Sequence, residues 1–268
     1  MRMRVLDAAF DIEEFFARLA AAPERILFLD YDGTLAPFHV DPARARPYPV
    51  VETRLRAMAR ESSSRIVLVS GRPLANLRQV LGELPAHEAW GTHGWEHVSA
   101  GNPVREFMPS ESAMDELATA EASARTFIRD GARVERKLAS VAFHWRGLPL
   151  ARVTAMRERM LGAWSARDDA DVELLPFDGG LELRARGRDK GRVVDEVLAA
   201  SHPGAVCAYL GDDFTDEDAF EAVRRSGRGV AMLVRPELRP TAAHAWLYPP
   251  VQLERFLRRW TDAARGEG

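Results

Sequence analysis

Two aspartates with one residue between them, Asp30 and Asp32, close an apolar run and precede Gly33-Thr34. Alternate side chains of an extended chain point the same way, so one carboxylate can attack a substrate while its neighbour trades protons. Carboxylates this close repel, which favours a divalent cation that keeps both ionised. Turns and calcium loops also use Asp-x-Asp-Gly, so the pair alone leaves a purely structural reading open. A second acidic cluster, Gly211-Asp212-Asp213-Phe214-Thr215-Asp216-Glu217-Asp218, follows another apolar run. Its hard oxygen donors, with no Cys or His beside them, suit magnesium better than zinc. Thr215 could equally cap a helix whose first turn carries Asp216, Glu217 and Asp218, and both readings hold together if Asp212 faces the metal.

Ser70-Gly71, at an expected strand-to-helix junction, offers a hydroxyl and backbone N–H groups to phosphate oxygens; a capped turn is the simpler alternative. Of 37 basic residues 35 are arginine, and the two lysines are Lys137 and Lys190. Lys190 precedes Gly191 at the expected start of a helix, where a compact ammonium fits a place that the wide guanidinium fork would not.

The elements that must position these groups follow from hydrophobic periodicity. Arg25–Leu29, Arg65–Val69 and Ala205–Leu210 are short apolar runs that read as strands buried on both faces, and each ends in one of the polar loops. Helical spacing marks Asp11–Ala22, Val50–Arg60, Arg192–Ala200 and Val251–Ala264. Buried strands alternating with helices give a parallel α/β sheet, whose ligands gather at the carboxyl ends of the strands. The 118 residues from Arg72 to Lys190 far exceed the roughly 30 of one strand–helix unit, so something is inserted. Within the gap, helices are expected over Glu111–Arg129 and Leu150–Ala166, and strands over Ala132–Lys137, Ser140–Trp145, Asp171–Pro176 and Leu181–Arg184, the last two joined by a turn at Asp178-Gly179-Gly180. These make a small α+β module.

Composition narrows the function class. A chain of 268 residues with 46% hydrophobic and 29% charged residues has the balance of a globular protein of one large or two modest domains. A net charge of -3 argues against a nucleic-acid binder. No stretch approaches the roughly 18 apolar residues of a membrane span, and Met1–Phe10 lacks a signal-peptide pattern. The single cysteine, Cys207, reads as a buried strand thiol, which suits a reducing cytoplasm.

Taken in order, Asp30-Tyr31-Asp32-Gly33-Thr34-Leu35, Ser70, Lys190 and Gly211-Asp212-Asp213 with Asp216 resemble the four motifs of the haloacid dehalogenase superfamily of phosphotransferases. The long insertion between the second and third motifs lies where that superfamily carries its second type of cap. Finer features, Ser70-Gly71-Arg72, His93-Gly94, Glu135-Arg136-Lys137, Gly180-Leu181-Glu182-Leu183-Arg184 and the full Gly211–Phe220 stretch, are similar to trehalose-6-phosphate phosphatases.

The resemblance implies a Rossmann-like parallel-sheet core over residues 1–108 and 186–268, and an inserted α+β cap over 109–185 that sets specificity. It implies Asp30 as nucleophile, Asp32 as acid and base, and Ser70 and Lys190 as catalytic partners. Magnesium would be held by Asp30, Asp32 and Asp212 with Asp213 and Asp216. Substrate would be held by Ser70, Gly71, Arg72, His93, Glu135, Lys137 and Glu182. The implied partners are a small sugar phosphate and a trehalose-phosphate synthase. Another sugar-phosphate phosphatase, of the sucrose-phosphate or mannosylglycerate-phosphate type, shares the core motifs, and a catalytically silent sugar-phosphate-binding domain is the non-enzymatic alternative. Trp95, Trp145 and His144 are aromatic candidates for a sugar, although such side chains more often pack in a core.

Overall fold

The structure is a computed structural model that describes residues 3–266 apart from 40, 83–85, 87, 168 and 178. It contains two compact units, Met1–Arg105 with Asp189–Gly268, and the inserted Glu106–Arg188. The strands are β1 (Arg4–Val5), β2 (Arg25–Leu29), β3 (Arg65–Val69), β4 (Glu88–Gly91), β5 (Glu96–Ser99), β6 (Arg105–Glu106), β7 (Arg133–Arg136), β8 (Ser140–His144), β9 (Val172–Phe177), β10 (Gly180–Ala185), β11 (Val206–Gly211), β12 (Gly229–Val234) and β13 (Ala245–Leu247). The helices are α1 (Ile12–Ala21), α2 (Pro49–Glu61), α3 (Leu74–Leu81), α4 (Glu111–Arg125), α5 (Leu150–Ser165), α6 (Lys190–Ala199), α7 (Glu217–Ser226) and α8 (Val251–Arg265).

The larger unit is built on a sheet of order β1-β13-β12-β11-β2-β3-β4-β5-β6. Strands β2, β3, β4, β11, β12 and β13 run parallel, whereas β4–β5 is an antiparallel hairpin. From β2 the chain steps outward through β3 to β4, and later from β11 outward through β12 to β13. The order reverses between β2 and β11, and that reversal opens a crevice beyond their carboxyl ends. Burial explains the composition: Ile26–Leu29 in β2 and Val206–Leu210 in β11 are buried on both faces, so neither strand alternates with polar residues.

Asp11 starts α1 by accepting the Glu13 N–H at 2.7 Å, and α1 then buries Phe15, Phe16 and Leu19. Helix α8 packs against α1 and α2 through Leu253, Phe256, Leu257 and Trp260. Each such buried side chain contributes on the order of 1.5–3 kcal/mol. Cys207 is buried within β11, and burial pushes its thiol up to about 12. Among the described residues no helix is long and apolar enough to cross a membrane.

The inserted unit is a four-stranded antiparallel sheet of order β7-β8-β10-β9 with α4 and α5. Phe143 and Trp164 meet edge to face with centroids 6.4 Å apart, so the helices cover the apolar side of this sheet. The expected turn at Asp178-Gly179-Gly180 falls between β9 and β10; Asp178 itself lies outside the described residues, and Gly179 has a φ of +86°.

Candidate active site

Asp30 follows β2 and Asp212 follows β11, so the strand reversal brings their carboxylates together. Carboxylate oxygens of Asp30, Asp212 and Asp216 lie within 4.8 Å of one another, and all three residues are buried. Lys190, the first residue of α6, donates its ammonium to Asp30 Oδ1 at 2.8 Å and to Asp216 Oδ1 at 2.7 Å. Burial pulls the lysine's pKa down, but the two carboxylates outweigh it and hold the amine protonated above its ordinary range.

Burial raises the pKa of Asp30 and Asp212, with the neighbouring carboxylates adding to the rise and Lys190 opposing it. Three buried carboxylates facing one ammonium leave negative charge uncompensated, and every donor is a hard oxygen. That donor set fits magnesium. Space is tight here: a Cβ on Gly33 would lie 2.0 Å from Asp212 Oδ2, so only glycine, at φ +86°, lets this turn approach the second acidic loop.

Asp216 differs from the other two carboxylates. Its Oδ1 accepts Lys190 and the Tyr209 hydroxyl, each at 2.7 Å, and its Oδ2 accepts the N–H groups of Asp212 and Asp213, each at 3.0 Å. Those four donors fill the roughly four acceptor positions of a carboxylate. Asp216 therefore fixes the loop that carries Asp212, and it reaches a metal directly only by giving up one of these partners. The cap expected from Thr215 is instead formed by Asp213, which accepts the Phe214 N–H at 2.8 Å in a reciprocal arrangement with Asp216. A short helical turn, Phe214–Asp216, precedes α7 and moves the start of the ordered segment one cap earlier.

Asp32 takes a different partner from Asp30. Arg72 donates Nε to Asp32 Oδ2 and Nη2 to Asp32 Oδ1, each at 2.5 Å. Ser70 is buried at the end of β3 and accepts the Arg72 N–H at 3.1 Å, which leaves its own hydroxyl proton to donate. Helix α3 starts at Leu74, after the Ser70-Gly71-Arg72-Pro73 loop, and buried Glu96 accepts the Leu74 N–H at 2.5 Å.

Beside this loop, Thr92 and His93 adopt left-handed φ values of 48° and 54°. For a β-branched threonine that is a strained backbone. The segment is held by Thr92 N–H to Arg72 O at 2.8 Å, His93 N–H to Ser70 O at 3.0 Å and Thr92 Oγ1 to Glu96 Oε1 at 3.1 Å. The His93 ring lies against Gly71, where an added Cβ would come within 2.6 Å of Nε2. Trp95 is buried in the core.

In the inserted unit, the β-register pairs Glu135 with Ala142 and Ala142 with Glu182. Directly paired residues share a face, so the two glutamates flank a small alanine on the side opposite the packed helices. On the same face Lys137 Nζ donates to Glu182 Oε1 at 2.9 Å, and Ser140 Oγ donates to that oxygen at 2.6 Å. His144 lies 3.2 Å from Glu135 Oε2; that hydrogen bond comes first among the causes holding the Glu135 carboxyl down to about 2, and Lys137 assists against burial. His144 also meets Phe177 edge to face, and Trp145 meets Phe143 likewise.

The sequence profile of the trehalose-phosphatase family matches residues 28–245. The chain belongs to the trehalose-phosphatase family. Curated relatives include a trehalose-phosphate phosphatase of Mycolicibacterium paratuberculosis, 35% identical over 254 residues, and a probable one of Oryza sativa, 29% identical over 253. Each alignment covers 90% of this chain but only 63% and 66% of the respective relative, so the chain spans about two thirds of their length. The solved C-terminal domain of the C. albicans trehalose-6-phosphate phosphatase matches with a TM-score of 0.79 at 21% identity, covering 96% of this chain and 98% of that one. That likeness establishes for this trehalose-phosphatase family member the α/β core with an inserted α+β cap.

Three site residues of this family member carry no sequence signal of their own. Tyr209 hides within an apolar strand, Ala142 is an ordinary strand residue, and Glu96 is one carboxylate among many.

Proposed function

We propose that this protein is a magnesium-dependent phosphatase that hydrolyses trehalose 6-phosphate to trehalose and phosphate. The meeting of Asp30, Asp212 and Lys190 at the strand reversal carries this reading. Asp30 attacks phosphorus in line while the bond to the sugar oxygen breaks, leaving an aspartyl-phosphate. Asp32 gives that oxygen its proton, then takes one from the water that cleaves the acyl phosphate, a pair of transfers worth about a hundredfold to ten-thousandfold. Lys190 keeps one ammonium proton beyond its two carboxylate partners, and this proton and the Ser70 hydroxyl meet the phosphate oxygens. Asp30, the Asp32 carbonyl and Asp212, with Asp213, would hold magnesium, which would supply positive charge against the phosphate. Asp216 supports these groups from behind through Lys190 and the Asp212 backbone.

Glu135, Lys137 and Glu182 grip sugar hydroxyls, with His144 steadying Glu135. Association with a trehalose-phosphate synthase belongs to the same proposal and is checked by co-purification. The decisive experiment measures phosphate release from trehalose 6-phosphate, sucrose 6-phosphate, mannosylglycerate phosphate and glucose 6-phosphate, with magnesium and with excess EDTA. The proposal requires release from trehalose 6-phosphate in preference to the others, lost in EDTA and restored by magnesium. Preference for another sugar would move the assignment within phosphatases, and no release from any would favour a silent binding domain.

A further inference from the structure

Arg72 meets Pro42, Tyr31 and Asp32 through its guanidinium. Its Nη1 donates to the Pro42 carbonyl at 2.8 Å, and its guanidinium lies 5.5 Å from the centre of the Tyr31 ring. That ring is itself fixed, because the buried Tyr31 hydroxyl reaches the Ala45 carbonyl at 2.9 Å and the Val80 carbonyl at 3.0 Å. From this mount the remaining fork reaches both oxygens of Asp32. The Asp32 side chain is 28% exposed, against 5% for Asp30, so packing alone does not confine it.

We infer that Arg72 is a positioning residue for the Asp32 carboxylate rather than a contact to the phosphate. The inference rests on the proposed acid–base role of Asp32. A bidentate fork fixes both the direction and the plane of a carboxylate, which a single ammonium does not. It uses one acceptor position on each oxygen and leaves one on each free. In the second half of the reaction the water oxygen bonds to phosphorus, its O–H bond breaks toward a free position on Asp32, and the Asp30–phosphorus electron pair returns to Asp30. The protonated Asp32 then supplies the next leaving sugar oxygen. A carboxylate already oriented meets this water without searching rotamers, an advantage of the kind that positioning gives.

The test uses 2,4-dinitrophenyl phosphate, whose leaving group needs no acid, in rapid mixing with Arg72→Gln, Arg72→Lys, Asp32→Asn and the Arg72→Gln/Asp32→Asn double variant. Arg72→Gln is expected to release a burst of about one dinitrophenolate per site and then to turn over roughly tenfold to a hundredfold more slowly than the parent. Arg72→Lys should fall between, because it restores charge but not the fork. The double variant should be no slower than Asp32→Asn alone, since residues acting through one another are not additive. A raised KM with unchanged kcat in Arg72→Gln, or multiplied losses in the double variant, would overturn the inference. Slow Asp32→Asn beside unimpaired Arg72→Gln overturns it alone, whereas Asp32→Asn at the parent rate removes the acid–base reading and the inference together.

Discussion

The Lys190 ammonium stands 2.8 Å from Asp30 Oδ1 although 160 residues of chain separate them. One of these groups ends a strand and the other begins a helix beyond the insertion, so the charge environment of Asp30, the proposed nucleophile, exists only once both halves of the core have assembled. Asp30→Asn keeps the shape of the side chain and removes its nucleophilic oxygen. Turnover should fall by at least about a thousandfold, with no labelled phosphoenzyme trapped and the melting curve still cooperative. A labelled phosphoenzyme in this variant would place the nucleophile elsewhere.

Tyr209→Phe deletes one of the four donors to Asp216 while the ring keeps its stacking on Phe28 and its edge contact with Phe220. A hydrogen bond to a charged group is worth about 1.5–3 kcal/mol, only part of which reaches Lys190. kcat should drop roughly tenfold, and by the same factor for trehalose 6-phosphate and an aryl phosphate, because Lys190 serves the group they share. A loss confined to the sugar substrate would contradict this route.

Lys137→Ala and Glu182→Gln should behave in the opposite way. Lys137→Ala removes the contact at 2.9 Å with Glu182 on the polar face of the four-stranded sheet, and Glu182→Gln strips that contact of its negative charge. The expected fall in kcat/KM for trehalose 6-phosphate is about tenfold to a thousandfold, or roughly 1.4–4 kcal/mol, with aryl phosphate hydrolysis nearly unchanged. Parallel losses on both substrates would make these residues structural.

Glu88 provides a pH signature outside the site. Burial raises its pKa, but His97, Arg65 and Trp90 outweigh burial and bring the carboxyl from its ordinary 4.5 down to about 2. A depressed pKa contributes stability that is present above 4.5 and lost as pH falls toward 2. The contribution is on the order of 3 kcal/mol. Urea midpoints recorded across this window should fall steeply in the parent and more gently in Glu88→Gln. Superimposable slopes would remove Glu88 as the source.

The core residues legible in the sequence stand where plain hydrophobic patterns begin or end. Asp30, Ser70 and Asp212 all close apolar runs, and Lys190 opens a helix whose stripe of valines is equally plain. Cross-strand relationships were not legible in this way. The row Glu135–Ala142–Glu182 depends on register, which the pairing of three strands decides, and Tyr209 reads as one more apolar position until Asp216 folds back upon it. The cap at Asp213 also turns on backbone hydrogen bonds, which periodicity does not resolve.

The left-handed pair Thr92–His93 sets two kinds of laboratory selection against each other. Backbone strain of this sort costs on the order of 1–3 kcal/mol per residue, and glycine or asparagine would relieve much of it. Libraries sorted only for survival after heating should therefore enrich those replacements at both codons. Libraries sorted for phosphate release should discard them, because they lose the Thr92 hydroxyl's bond to Glu96 and the His93 ring packed on Gly71, side-chain contacts that hold this turn beside Ser70 and Arg72.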